Sequence, residues 1–536
     1  MTRKNYYVAA ALMAALFSTQ AQEAGKTFVA KQTPMTEAQM QRWSHLDMEK
    51  DSIPGMSVDR AYNELIKGKP GQKVIVAVID SGVDIEHPDL KSVIWTNPKE
   101  IAGNGIDDDK NGYIDDIHGW NFLGASNDEN LELVRMLKKP DDGSEEYKNA
   151  LAEYEQKSNE AKQGKQQMDF ITKADKTMQE FLKKDTYTVD DLKTVTSTDA
   201  AVNQSKMVMT QVLTRAGANF RELFKEQINY VNEMVEYNLN KDFDGRKVVG
   251  DNPEDLNDKN YGNNTVYAPD KEDSLHGTHV AGIIAQVRSN GLGGDGVANG
   301  QVAIMSVRAV PNGDEYDKDI ALAIRYAVDN GAKVINGSFG KDYSPHKEWV
   351  WDAIKYAESK DVLFVHAAGN DSKNIDNEPN FPTDSKDKKT ELANNVITIG
   401  ALNYEYGDAL VADFSNYGKL NVDVFAPGVK IYATTPNNTY KYEQGTSMAA
   451  PNAAGVAALV RSYYPQLKAG QVKEILMKSG TPISIGVTAG EEGQKMQFTD
   501  ISVSGKIINA YQALKMADGM VNKAPKGKPA APKKKK

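Results

Sequence analysis

The chain has 536 residues, of which 40% are hydrophobic and 26% charged, with 42 glycines and no cysteine. This composition is globular and long enough for a sizeable core; it excludes collagen-like, wholly disordered, disulfide-stapled and thiol-nucleophile proteins. The formal charge is -10 although Gly519–Lys536 carries seven lysines and no acid, so the body is more acidic still and nucleic acid is disfavoured as the natural partner.

Residues 1–21 combine Arg3 and Lys4, an apolar run from Tyr7 to Phe17 and the small-residue end Ser18-Thr19-Gln20-Ala21. They read as a signal peptide cleaved after Ala21, which sends the chain to the periplasm, the cell surface or the medium. The apolar run falls short of the roughly 20 residues that a spanning helix needs, and no later stretch qualifies, so no transmembrane helix is expected in the mature chain. Without cysteine there is no lipid-bearing thiol or disulfide, and stability is expected from a large core and bound ions. Residues 22–72 form an N-terminal arm, with a helical pattern at Val58–Ile66 and a turn at Gly68-Lys69-Pro70-Gly71.

From Lys73 the pattern changes to continuous apolar runs at Val74–Ile79, Ile304–Val310, Lys333–Asn336, Val362–His366, Asn395–Gly400 and Val422–Phe425. Such runs fit strands buried on both faces. Helical patterns at Asp319–Asp329, His346–Ser359 and Met448–Tyr464 alternate with them. The expected class is α/β, an open and mainly parallel sheet with helices on both faces, spanning 73–517. A stretch at about 127–240, rich in Lys, Glu, Gln, Met and Ala and periodic at Glu145–Lys162 and Phe220–Leu239, reads as a helical insertion. Residues 518–536 are a Lys/Pro/Ala tail expected to be disordered and a candidate anchor to acidic surfaces.

Four segments carry chemistry. Asp80 follows the first apolar run and precedes Ser81-Gly82, so its carboxylate is expected at the carboxyl end of a buried strand, where crevices in open α/β sheets form. His276 opens His276-Gly277-Thr278-His279-Val280-Ala281-Gly282 and is placed near a helix start. Ser447 lies in Gly445-Thr446-Ser447-Met448-Ala449-Ala450-Pro451, a glycine turn entering a helix whose N-terminal end favours negative charge. Asn370 closes Ala367-Ala368-Gly369-Asn370 and offers a side-chain amide beside the backbone N–H of Ser447 for a developing oxyanion.

These four segments, with Asp, His and Ser following one another in that order along the chain, resemble the subtilase family of serine peptidases. The resemblance implies a subtilisin-like fold in which Asp80 orients His276, His276 moves the proton and Ser447 attacks the scissile carbonyl, with Asn370 assisting the oxyanion hole. It also implies that a peptide adds as a strand beside Ser338, Phe339 and Gly340, while Ala367, Ala368 and Gly369 line one wall of the main side-chain pocket. Protein or peptide substrates and an exported endopeptidase follow. His45, His87, His118, His279, His346 and His366 are expected to be structural. A Ser-Glu-Asp peptidase would share the serine motif but lack the imidazole. The competing class is a non-catalytic binding protein on the same fold.

Three features depart from a compact subtilisin. The helical insertion separates Asp80 from His276, as a stability element or a substrate-selecting arm. Asp107-Asp108-Asp109-Lys110-Asn111-Gly112-Tyr113-Ile114-Asp115-Asp116 resembles the first half of an EF-hand loop, so Asp107, Asp109, Asn111, Tyr113 and Asp116 are candidate ligands of a structural calcium; no organic cofactor is expected. His118 stands where the closing glutamate belongs, which leaves closure to Asp115 or Asp116. The arm is shorter than a typical domain, which predicts activity without removal of a large prodomain.

Overall fold

The computed structural model describes residues 28–217, 220–298 and 300–522. The predicted signal peptide and the tail beyond 522 lie outside these residues. The chain divides into two compact units, one made of residues up to 125, 251–310 and 315 onward, the other of 126–250 and 311–314.

The larger unit is built on a nine-stranded sheet, most of whose strands follow from buried apolar runs: β1 (Val74–Asp80), β2 (Gly119–Asn121), β3 (Val302–Arg308), β4 (Val334–Gly337), β5 (Leu363–Ala367), β6 (Val396–Leu402) and β7 (Val424–Pro427), with the short edge strands β10 (Thr481–Pro482) and β13 (Lys506–Ile507). Two separate hairpins pair β8 (Ile431–Thr435) with β9 (Thr439–Glu443), and β11 (Gly486–Ala489) with β12 (Gln494–Gln497). The large sheet has the order β10-β13-β7-β6-β5-β4-β1-β3-β2 and is parallel except at β10–β13. Strand order reverses around β1, whose neighbours are β3 and β4, so the crevice of this sheet opens beyond the carboxyl end of β1.

The expected α/β class, with its mainly parallel sheet flanked by helices, is what the molecule has. The predicted runs shift by one or two residues, and Asp80 is the last residue of β1 rather than the residue after it. β2 and the two edge strands escaped the sequence reading because two or three residues carry no period.

The principal helices are α1 (Leu275–Ala285), α2 (Asp317–Asp329), α3 (Lys347–Ser359), α4 (Thr446–Tyr463), α5 (Ala469–Ser479) and α6 (Ala510–Asn522). α4 is rich in Ala, Gly, Ser and Val and almost wholly buried, and a Cβ at Gly455 would stand 2.5 Å from Val297 Cβ. Small side chains are what allow a helix to run that close to its neighbours. α6 runs to Asn522, five residues past the expected boundary at 517. The segment Trp43–Ile66 is part of the core: Trp43, Ile53, Met56, Val58 and Ala61 belong to the same buried cluster as the strands and α4. Its helical pattern resolves into a turn of α-helix at Val58–Ala61 and a π-turn at Tyr62–Ile66.

The smaller unit is helical. Its longest helix, Glu145–Leu182, runs 38 residues, far beyond the expected end at 162, and is joined by Val189–Thr194, Ala200–Ala216 and Phe220–Glu233 around a core of Met178, Leu192, Met209, Leu213 and Phe220. The sequence period is weak along the first helix because only Ala150, Ser158, Ala174 and Met178 are buried on it. Among the described residues no helix is long and apolar enough to cross a membrane.

Candidate active site

Asp80, His276 and Ser447 come from three elements that meet at the carboxyl edge of the sheet. Asp80 is 1% exposed at the end of β1, and its Oδ1 accepts both the Ser81 N–H at 2.8 Å and the His276 Nδ1–H at 2.7 Å. α1 starts almost on top of this turn: Ser274 Oγ receives the Ala268 N–H at 2.7 Å, and the Gly277 N–H donates to Ser81 Oγ at 3.3 Å. A Cβ at Gly277 would lie 2.1 Å from Gly82 O and 3.1 Å from Asp80 Cβ, so only glycine lets the helix approach closely enough for the imidazole to reach the carboxylate.

Ser447 is the second residue of α4, after Gly445 at φ 148, a conformation glycine tolerates. Pro451 has no N–H to give to the carbonyl four residues before it, which is that of Ser447. The Ser338 hydroxyl fills the gap, donating to Ser447 O at 2.9 Å, while Ser447 Oγ donates back to Ser338 O at 3.3 Å. Ser338 directly follows β4, whose Gly337 is paired with Ile79 of β1, so Ser338 stands about one strand spacing, ~4.8 Å, from the Asp80 turn, and the reciprocal bonds tie Ser447 to it. Ser447 Oγ thus faces Ser338 O in this structure.

Asn370 Oδ1 accepts both the Thr446 N–H and the Thr446 hydroxyl, each at 2.8 Å. With its oxygen fixed in this way, the amide Nδ2 is turned away from Thr446, 3.5 Å from the position of a Cβ on Gly445, and next to the N–H of Ser447. As one of the first N–H groups of α4, the Ser447 N–H has no intrahelical acceptor. Asn370 Nδ2 and the Ser447 N thus lie 3.5 and 3.6 Å from the same point, the position of a Cβ on Gly445.

Burial is the largest single influence on the basicity of His276 and lowers it, but the Asp80 carboxylate, through its charge and its hydrogen bond, and Glu443 more than offset it; the imidazole pKa is raised above 6.5. The side chain is still 39% exposed, so solvent blunts the burial effect and the carboxylates set the direction. His279, one turn on, is fully buried and held by Lys441 O; burial pushes its pKa down to about 4, so it is neutral at working pH. His366 is held by Phe339 O at 2.9 Å and lowered by burial to about 4, and His118 by Trp95 O at 2.8 Å. The other histidines are likewise engaged: His45 with Arg288, His87 with Thr439 O and His346 with Glu254.

The residues expected to meet a peptide differ in what they expose. Ser338 and Phe339 are 4% and 8% exposed, and the Ser338 hydroxyl is committed to Ser447. Gly340 is exposed; Lys341 turns its N–H and C=O to Phe381, at 3.0 and 2.9 Å, so the alternation of an extended chain directs those of Gly340 to the other side. Ala367 and Ala368 are buried at 3% and 0%, and Gly369 is half-buried, its N–H on Thr446 Oγ1 at 3.1 Å.

The acidic loop is arranged differently from its sequence pattern. Asp116 is fully buried, and its oxygens accept Tyr326 OH at 2.6 Å, Asn97 Nδ2 at 2.9 Å and Asn111 Nδ2 at 3.0 Å, while burial raises its pKa to about 6. Asp115 accepts the N–H groups of Gly103, Asn104 and Gly105. Neither is turned to close an ion site. Asn111 Oδ1 takes the Tyr113 N–H, and the Tyr113 ring packs between Trp120, Phe122 and Tyr326. The group that joins Asp107 and Asp109 is Glu100: one oxygen from each lies within 4.8 Å of the others, about the spread of oxygens around one calcium ion. Glu100 Oε2 is buried without a hydrogen-bond partner, which a cation would relieve, so these residues fit the ion. Sequence reasoning missed Glu100 because it lies seven residues before the loop pattern starts.

Comparison with known proteins bears on the same motifs. The model of the subtilase family matches residues 71–499. A cell wall-associated protease of Bacillus subtilis (strain 168) is 42% identical over 223 residues, covering 41% of this chain and 23% of that protein. A thermophilic serine proteinase of Bacillus sp. (strain AK1) is 40% identical over 242 residues, 44% of this chain and 52% of that one. Among solved structures, a protease from Pseudoalteromonas arctica PAMC 21717 shares 31% identity over 45% of this chain and 70% of its own, with a TM-score of 0.36. The matches span about a quarter to a half of these two curated relatives. Because the family model covers most of the chain and contains every motif described above, the chain belongs to the subtilase family.

Proposed function

We propose that this protein is an exported serine endopeptidase that hydrolyses peptide bonds through Asp80, His276 and Ser447 and an acyl-enzyme intermediate. The observation that carries the reading is the 2.7 Å bond from His276 Nδ1 to buried Asp80. It fixes the tautomer, leaving the Nε2 lone pair to take the serine proton. Ser447 Oγ rotates from Ser338 O, gives its proton to Nε2 and attacks the scissile carbonyl carbon; the carbonyl oxygen becomes an oxyanion between the Ser447 N–H and Asn370 Nδ2. Nε2 returns the proton to the leaving amine, and water repeats the sequence to release the acid. Peptide substrate pairs as a strand with Gly340, beside Ser338 and Phe339, while the chain Ala367-Ala368-Gly369 backs the side-chain pocket; main-chain pairing makes specificity broad.

Calcium is proposed as a structural ion held by Glu100, Asp107 and Asp109, with Asn111 and Tyr113 shaping the turn. It stabilises the loop and takes no part in the chemistry. Export through residues 1–21 and surface association through the lysine tail complete the reading; the acidic body supports protein rather than nucleic acid as partner.

A second reading, a binding protein on the same fold, draws on the resting bond of Ser447 Oγ to Ser338 O. A labelled fluorophosphonate separates the two: covalent labelling of the full chain, lost in Ser447→Ala, is expected of the peptidase. An unlabelled wild type would leave the binding reading.

A further inference from the structure

Asn370 can serve an oxyanion only if its amide is aimed, yet it stands beyond the end of its strand. β5 ends at Ala367, and the Ala368 N–H donates to Ile399 O of β6 at 3.0 Å. In a parallel ladder the next rung would run from the Ala401 N–H to Ala368 O. That rung is replaced. The Ala401 N–H goes to Ser415 Oγ at 2.9 Å, and Ala368 O takes Asn416 Nδ2 at 2.9 Å. The chain then turns through Gly369, at φ 100, and reaches Asn370, which is exposed. Backbone that has left a ladder needs other partners to fix it.

Asn416 supplies most of them from behind the turn, where it is 1% exposed. Besides its bond to Ala368 O, its backbone N–H donates to Gly369 O at 3.0 Å, and its Oδ1 accepts the Asp371 N–H at 3.0 Å and the Lys373 N–H at 2.8 Å. Two carbonyls before Asn370 and two N–H groups after it are thus gathered by one residue. The side-chain share of this work needs a donor and an acceptor on one short group, which is what a carboxamide is. A Cβ at Gly369 would stand 2.4 Å from Asn416 Nδ2, so only glycine lets the amide pack against the turn.

Asn416 is in turn tied to its surroundings. Ser415 Oγ donates to Asn416 O at 2.9 Å while accepting from β6, and the Tyr417 N–H donates to Lys373 O at 3.0 Å. On the opposite side Thr446 Oγ1 accepts the Gly369 N–H at 3.1 Å and meets Asn370 Oδ1. We infer that Asn416 is a positioning residue for the oxyanion donor: it clamps the backbone on both sides of Asn370 to β6, so that Oδ1 is delivered to Thr446 and Nδ2 is left for the substrate. Asn416 itself touches no substrate. This rests on the peptidase reading above and adds to it the residue through which Asn370 is aimed.

The test compares full-length Asn416→Ala and the milder Asn416→Ser with Asn395→Ala. Asn395 is another wholly buried asparagine, whose Nδ2 donates to Ile354 O at 3.2 Å and Val362 O at 2.9 Å at the amino end of β6, away from the cleft. All three variants should melt at lower temperature, but only those at 416 should lose turnover. Misplacing Asn370 costs no more than removing it, so Asn416→Ala should lower kcat roughly ten- to a hundred-fold, with Asn416→Ser in the same direction. KM should stay within about two-fold, because Ala367 and Ala368 remain held by β6. In an Asn370→Ala background, adding Asn416→Ala should cost less than about two-fold in kcat, since one residue acts through the other. A crystal structure of Asn416→Ser reads the positioning without turnover: Asn370 Oδ1 should move out of hydrogen-bonding distance of the Thr446 N–H. Additive losses in the double variant, an equal loss of kcat in Asn395→Ala, or an unmoved Asn370 overturns the inference, while fluorophosphonate labelling of the wild type keeps the peptidase reading. An unlabelled, inactive wild type in which Asn416→Ser still releases Asn370 from Thr446 overturns the peptidase reading and leaves the clamp standing.

Discussion

Two stretches of this chain announce themselves by motif, the turns carrying Asp80, His276 and Ser447 and the acidic loop from Asp107 to Asp116, and the fold treats them differently. In the first, each side chain is held by something far away in sequence: Asp80 by His276 across 196 positions, Ser447 by Ser338 across 109, Asn370 by Thr446 across 76. In the second, the carboxylates are taken up by neighbours: Asp107 by the N–H groups of Asn111 and Gly112, Asp115 by those of Gly103, Asn104 and Gly105. Short acidic side chains compete readily for nearby backbone donors, so an acidic loop can satisfy itself without following the geometry its pattern suggests. A group fixed between buried strands and helices has no such alternative, and its motif is the more faithful guide.

The comparison is broken most directly at the serine. Ser447→Ala should abolish amidase activity, by about 10⁶-fold if the loss seen for the triad of subtilisin carries over from that relative, with the thermal melt nearly unchanged. Retained turnover would show that the long-range cluster is architectural. Asn370→Ala should lower kcat by roughly 10²–10³ with little effect on KM, a magnitude again carried over from a subtilisin. The same substitution frees the Thr446 N–H, so a small loss of stability is expected as well.

Ser338→Ala sharpens the account of how Ser447 is placed. It leaves the Ser447 carbonyl without the donor that Pro451 cannot supply, a loss of ~1–3 kcal/mol for a buried group. We expect a fall in melting temperature and roughly a ten-fold loss in kcat, with Ser338→Thr restoring both because it keeps the hydroxyl. Equal loss in the threonine variant would mean that packing, rather than this hydrogen bond, holds the serine.

Much of the larger unit was legible because its signals are redundant. Runs such as Val74–Ile79 are apolar on both faces, and the Ala/Gly-rich stretch after Gly445 suits only a helix buried among strands. What the sequence did not reveal was set by contacts rather than by local pattern. β2 is three residues long and exists because β3 offers an edge to it. The helix Glu145–Leu182 outran its predicted end because Gly164 and a polar surface interrupt the period without breaking the backbone hydrogen bonds. The hydroxyl of Ser338, read as part of a substrate strand, proved to be committed to Ser447; that role is visible only once Pro451 is seen to deprive the serine carbonyl. The acidic loop shows the reverse, with Asp116 drawn inward by Tyr326, Asn97 and Asn111 while Glu100 moves in beside Asp107 and Asp109.

That exchange of Asp116 for Glu100 yields the smallest expected effect and the most direct test of the loop. Calcium should raise the melting temperature of the wild type relative to chelator by a few degrees. Glu100→Gln should remove most of that difference: it preserves the acceptor for the Asp109 N–H, bonded at 2.9 Å, and takes away the charge on the buried, unpartnered oxygen. Lys99, 3.8 Å from Asp109, already supplies a positive charge there, so Lys99→Gln should strengthen the calcium response if the ion and the lysine compete for one carboxylate. Asp116→Asn tests the alternative assignment. A calcium response that survives Glu100→Gln but disappears in Asp116→Asn would return the site to the sequence pattern and show that an ion, once bound, overrides the local hydrogen bonds that hold Asp116 inward.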